Sequence, residues 1–183
     1  MLLDLSSSLV LDTSVVLNLL ATGVSESVLA SLGCTPYVCS AVADETLYIR
    51  AAEEGQPREP VSVDPWLRSE VARRIAPESE AEQAFYVRFA ADLDDGEAMS
   101  LAICHSRSYS LATDDRKARR MAAALKPRTV RLVSTGQTLR NWAGAVVAPD
   151  PEVKRVLNAI ERRARFIPPG DDPSYEWWME KRG

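Results

Sequence analysis

The chain has 183 residues, 46% of them hydrophobic, which is enough for one domain with a sizeable core. Its net charge of −4 argues against a protein that grips nucleic acid through overall positive charge, so phosphate contacts would have to come from local basic clusters. No apolar run approaches the roughly 20 residues that span a bilayer, and the amino terminus is not basic enough for a signal peptide, so a cytoplasmic protein without membrane contact is expected.

In chain order, Leu9-Val10-Leu11 closing on Asp12 predicts a strand over 9–12, and Thr13-Ser14 then open a helix over 14–21. A helix over 25–32, a strand over 37–39 and a helix over 41–53 follow. Glu53-Glu54-Gly55-Gln56-Pro57-Arg58-Glu59-Pro60 reads as a polar turn, with helices near 65–75 and 79–91 behind it. Next come a helix over 97–107, a strand over 109–113, a helix over 115–125 and a strand over 129–133. The alternating order favours a parallel sheet with helices on both faces. Pro149-Asp150-Pro151 marks a break, which divides the chain into a domain over 1–148 and an extension over 149–183. The extension holds a helix to about residue 165, a Pro-rich linker over 168–173, and Tyr175, Trp177 and Trp178, which are expected to dock on the domain or on a second subunit.

Chemistry is concentrated in carboxylates. Asp12 and the pair Asp114-Asp115 fall at the ends of two predicted parallel strands, the edge where open α/β sheets bind ligands. Either acid is equally well a helix N-cap. Glu45 would share a helical face with Val42 and Ile49, and Glu97 with Leu101 and Cys104, so both border buried stripes. Carboxylates crowded near a core repel one another and lose solvation unless a cation neutralises them, and Mg²⁺ or Mn²⁺ with oxygen ligands does this well.

These stretches resemble the PIN-domain ribonucleases, which include the VapC-type toxins of toxin–antitoxin pairs. Leu9 to Leu17 looks like that family's opening strand and first acid, and Tyr37 to Glu45 is similar to its second strand and second acid. Leu93 to Ala102 looks like a Gly-Glu form of the third acidic motif, and Leu111 to Arg116 resembles the Thr-x-Asp motif that holds the fourth. Val130 to Gly136 fits the last strand and turn, so the resemblance covers most of residues 8–145.

The resemblance implies a three-layer α/β/α fold on a short parallel sheet of four or five strands. It also implies that Asp12, Glu45, Glu97 and Asp115, with Asp114 as a possible substitute, hold one or two Mg²⁺ or Mn²⁺ ions. Thr13, Ser14 and Thr113 would support those acids, and the reaction implied is metal-dependent hydrolysis of RNA. The expected partners are an RNA substrate, a protein antitoxin and a second copy in a homodimer. Residues 51–91 are longer than the compact toxins need and are expected as an extended helical insertion.

Arg116 and Lys117 follow directly on the fourth acid and are expected to contact RNA phosphates; a solvated helix face is the alternative. Further basic groups are Arg73-Arg74, Arg119-Arg120, Arg128, Arg131, Arg162-Arg163 and Arg165. Three cysteines, Cys34, Cys39 and Cys104, read as free thiols, and the lone His105 as a packed or surface residue. Asp12-Thr13-Ser14 lacks the Asp-x-Asp of an aspartyl phosphatase, and a phosphorelay receiver would need an exposed Asp at a third strand end. A PIN-like domain that binds without turnover, and an RNA-processing nuclease without an antitoxin, remain open alternatives.

Overall fold

A computed structural model describes residues 7–45, 47–51, 56–127 and 129–183. Of the residues singled out above, Glu53, Glu54, Gly55 and Arg128 lie outside the described residues. The chain begins with β1 (Ser8–Leu11), α1 (Thr13–Thr22), α2 (Ser25–Ala30), β2 (Thr35–Cys39) and α3 (Ser40–Ala43). It continues with β3 (Leu47–Arg50), β4 (Arg58–Val61), α4 (Asp64–Arg68), β5 (Arg73–Ile75) and α5 (Glu80–Phe89). Then come α6 (Asp95–Arg107), β6 (Ser110–Ala112), α7 (Arg116–Ala124) and β7 (Arg131–Val133). It closes with α8 (Thr135–Ala145), α9 (Asp150–Arg163) and α10 (Tyr175–Arg182).

Five strands form one parallel sheet in the order β5-β2-β1-β6-β7. All four residues of β1 are buried, as a central strand covered on both faces requires. Two groups of helices flank the sheet. One gathers around α6, which touches β1, β2 and β6 as well as α3, α5 and α7; the other gathers around α1, which packs on α2, α8 and α9. This is the three-layer arrangement the sequence suggested. The chain runs from β1 to β2 on one side and returns to β6 on the other, so strand order reverses between β1 and β6. A crevice opens at the carboxyl ends of such a pair.

Two predicted helices are corrected. The helix over 41–53 ends at Ala43, and the chain re-emerges as β3, antiparallel to β4. Leu47 and Ile49 of β3 are buried while Tyr48 and Arg50 are exposed, so period two wins over the helical spacing of Val42 and Ile49. Glu45 is therefore exposed and shares no helical face with them. The helix near 65–75 is only α4; Glu70 adopts a left-handed φ of 59°, and the chain then adds β5 beside β2. Residues 51–91 are thus not a purely helical insertion, since they supply the edge strand of the main sheet. Two helices went unforeseen: α8, which opens with a Ser134–Gln137 capping box, and α10.

The tail docks within the molecule. Trp178 of α10 is fully buried, donates its Nε1–H to Glu161 Oε1 of α9 at 2.8 Å, and meets Phe166 edge-on at 5.7 Å. Trp66 is likewise a core residue, with its Nε1–H on Ser25 Oγ at 2.9 Å. Phe85 stacks on Phe89, and His105 packs edge-on against Phe85 while its Nδ1 pairs with Thr129 Oγ1 at 3.0 Å. The three cysteines are free, with Cys39 and Cys104 buried and Cys34 half-buried.

Candidate active site

Asp12 stands where β1 hands over to α1 and is 1% exposed. Its Oδ1 accepts the Thr13 N–H at 2.7 Å, capping α1, and its Oδ2 accepts the hydroxyls of Ser14 at 3.1 Å and Thr113 at 2.7 Å. Burial pushes its carboxyl up to about 6, even though those three donors pull the other way. Ser14 works twice: its Oγ also accepts the Asp114 N–H at 3.2 Å. Thr113 does the same, because its Oγ1 accepts the Asp115 N–H at 3.1 Å.

The two neighbouring aspartates have different duties. Asp114 turns away from Asp12: its Oδ1 accepts the Thr135 N–H at 3.0 Å, and its Oδ2 accepts Thr135 Oγ1 at 2.5 Å and Asn18 Nδ2 at 2.9 Å. It ties α1 to the start of α8 with its acceptors already engaged. Asp115 caps α7, with Oδ1 on the Ala118 N–H at 2.7 Å.

Glu97 lies in the first turn of α6, where its Oε2 faces the Asp94 N–H at 3.4 Å. Burial pushes its carboxyl up to about 7, and the negative charges of Asp12 and Asp115 add to the rise. The preceding Gly96 explains how α6 comes so close. A Cβ there would stand 2.7 Å from Thr13 Oγ1 and 2.8 Å from Val42 Cγ2. Thr13 reaches Asp12 through its backbone, whereas the hydroxyls that touch that carboxylate belong to Ser14 and Thr113. Glu45 lies on the lip of a cleft of about 560 Å³ that it shares with Thr13, Ser14 and Glu97.

A second cleft, of about 490 Å³, is lined by Ser14, Asn18, Glu97, Asp114 and Asp115 together with Tyr48, Arg50, Arg58 and Arg165. Arg116 is exposed and lines a separate cleft with Asp114, Arg119 and Arg120, and exposed Lys117 pairs with Asp92 at 3.4 Å. Sequence reasoning missed Asn18 and Thr135, whose role depends on contacts 96 and 21 residues away. It also missed the Tyr48 and Arg50 wall, which the alternation Leu47-Tyr48-Ile49-Arg50 would have signalled. Among the described residues, no three acidic side chains are gathered tightly enough to ligate one ion as they stand.

Acids from three separate elements thus stand at one strand-order reversal of the sheet. Residues 8–169 match the family model DUF3368, described as a PIN domain, and the chain belongs to that PIN-domain family. No curated protein and no solved structure matches it.

Proposed function

We propose that this protein is a metal-dependent endoribonuclease whose centre comprises Asp12, Glu97 and Asp115, with Glu45 at its lip. The observation that carries this reading is the convergence of acids at one cleft: Glu97 and Asp115 line it, Thr113 ties Asp115 to Asp12, and burial with their like charges raises the Glu97 carboxyl. An acid cluster of this kind is costly without a cation, and its donors are the hard oxygens that Mg²⁺ or Mn²⁺ accepts, so the residues fit such an ion. Bound there, the ion would supply a water of lowered pKa and neutralise charge on the phosphoryl oxygens.

The chain's own groups prepare that centre. Ser14 and Thr113 hold the Asp12 carboxylate in one orientation, and Thr113 sets the backbone of Asp115 from the same hydroxyl. Asp114 fixes α1 against α8 beneath the crevice, so it acts as a brace rather than a ligand. Arg116, exposed and without an ion pair among the described residues, would meet a phosphate beside the fourth acid; Lys117 would first have to leave Asp92.

Cleavage of a mixed single-stranded RNA pool in EDTA, Mg²⁺ or Mn²⁺ tests the reading. Cuts that require metal and vanish in Asp12→Asn and Asp115→Asn support it; a folded protein that never cuts supports a PIN-like binding domain. The wider role proposed is that of the toxin in a cytoplasmic type II toxin–antitoxin pair, acting as a homodimer. An acid-lined crevice suits a basic side chain from an antitoxin, and among the described residues no helix is long and apolar enough to cross a membrane. If the product of the adjacent reading frame fails to co-purify, the toxin role falls, and an RNA-processing nuclease without an antitoxin remains.

A further inference from the structure

The β3–β4 hairpin presents an exposed face of Tyr48, Arg50, Arg58 and Pro60. Arg50 and Arg58 stand directly opposite each other in the antiparallel register, and Tyr48 stands opposite Pro60 on the same face. Like charges directly opposed across two strands destabilise the pair. Neither arginine has an ion pair with an acid among the described residues, nor does the exposed Arg165, which a left-handed φ of 57° places just past the end of α9. All three line the same cleft as Glu97 and Asp115. Tyr48, a large aromatic, is 51% exposed beside them.

The hairpin is also held firmly. Arg163 at the end of α9 pairs with Glu59 of β4 and donates to the Arg50 carbonyl at 3.2 Å and the Ala21 carbonyl at 3.4 Å. Leu47 and Ile49 anchor its other face in the core. One arginine thus does the fastening and three are left facing the cleft.

We propose that this face is a wall along which a single-stranded nucleic acid is held, with Arg50, Arg58 and Arg165 taking its phosphates and Tyr48 stacking a base. The assignment rests on the nuclease reading of the crevice and adds the path by which substrate reaches it. A phosphate between Arg50 and Arg58 relieves their repulsion, and an aromatic ring beside a basic groove is the usual platform for an unpaired base. An acidic peptide fits less well, since its carboxylates point from both sides of an extended chain and would meet Glu97 and Asp115. A nucleic-acid strand offers phosphates to the arginines and a neutral base to Tyr48 beside them.

The test is fluorescence anisotropy of a labelled 12-nucleotide single-stranded RNA in EDTA, so that no cleavage is needed. Arg50→Ala with Arg58→Ala should weaken binding at least tenfold and flatten the plot of log affinity against log salt by about 1.4, for two lost contacts at about 0.7 each. Tyr48→Leu should weaken it about tenfold, while Tyr48→Phe binds as the parent does. The double arginine variant should melt no lower than the parent, because an unfavourable pair has been removed.

Unchanged affinity and salt slope in the arginine variants overturns the proposal, as does the absence of RNA binding by the parent protein. Intact RNA binding coupled to loss of a co-purified protein partner also overturns it, making the wall a protein site. The nuclease reading is judged separately. Metal-dependent cutting with no effect of the wall variants on binding keeps the nuclease and removes the wall; wall-dependent binding without cutting keeps the wall and removes the nuclease.

Discussion

Thr113 donates its hydroxyl to Asp12 across 101 residues of chain at 2.7 Å, and the same oxygen accepts the backbone N–H of Asp115. One side chain therefore sets two acids contributed by different strands. Thr113→Val removes both bonds at a buried position and should cost about 1–3 kcal/mol of stability, while Thr113→Ser keeps them and should cost less. RNA cleavage should fall at least tenfold in the valine variant and recover in the serine variant, as steady-state rates will show.

Asp114 and Asp115 are adjacent in sequence and opposite in expected phenotype. Asp114→Asn places an amide where Thr135 N–H and Asn18 Nδ2 both donate, so it should lower the melting temperature markedly. Asp115→Asn keeps an oxygen to cap α7 and should melt near the parent. Thermal scans with millimolar Mn²⁺ separate them further: the metal-induced rise persists in the former and shrinks in the latter.

Gly96 is fixed by space rather than by backbone conformation. Gly96→Ala pushes a methyl group against Thr13 and Val42, an overpacking that should cost about 1–3 kcal/mol and shift Glu97 away from Asp12. Chemical denaturation measures the first effect. A smaller melting shift on adding Mn²⁺ measures the second.

Glu82 of α5 accepts Arg107 Nε at 2.6 Å, and this partner holds its carboxyl down at about 2, from the ordinary 4.5. A depressed acid contributes stability that is fully present above about 4.5 and is lost as pH falls toward 2. Glu82→Gln should therefore be less stable than the parent at pH 7, by about 1–3 kcal/mol, with the gap narrowing steadily below pH 4.5. Urea unfolding at pH 7 and pH 3.5 reads both; a gap independent of pH would contradict the pairing.

Trp178 ties α10 to α9 through burial and its bond to Glu161. Trp178→Ala should destabilise by about 3–5 kcal/mol, and Trp178→Phe by less, since it loses the hydrogen bond but keeps most of the packing. The midpoint of urea denaturation should order the three proteins accordingly.

Much of this site was legible because strand-end acids announce themselves. An apolar run that stops at an acid followed by helix-forming residues has few alternatives, and Asp12 and Asp115 carried that signature, while Glu97 stood out as an acid beside the apolar face of its helix. The helical face expected for Glu45 does not form, since α3 ends two residues earlier and the acid lies exposed on the lip of its cleft. The edge strand β5 was hidden because only Ile75 of Arg73-Arg74-Ile75 is buried, leaving no pattern to read. The bracing of Asp114 by Asn18 and Thr135 had no local signal, because polar contacts between distant elements leave no periodicity.

The pairing of β1 with β6 has a temporal consequence. Asp12 is made early and Glu97 much later, yet neither meets its full set of neighbours until Thr113 and Asp115 have joined the sheet. A chain growing from its amino end therefore carries Asp12 through the 101 residues that separate it from Thr113 without a crevice to place it in. Long-range closure of this kind is slow, because distant segments must meet before their contacts stabilise them. If the assembled crevice cuts RNA, the growing protein is inert toward the message that encodes it until Asp115 has been made.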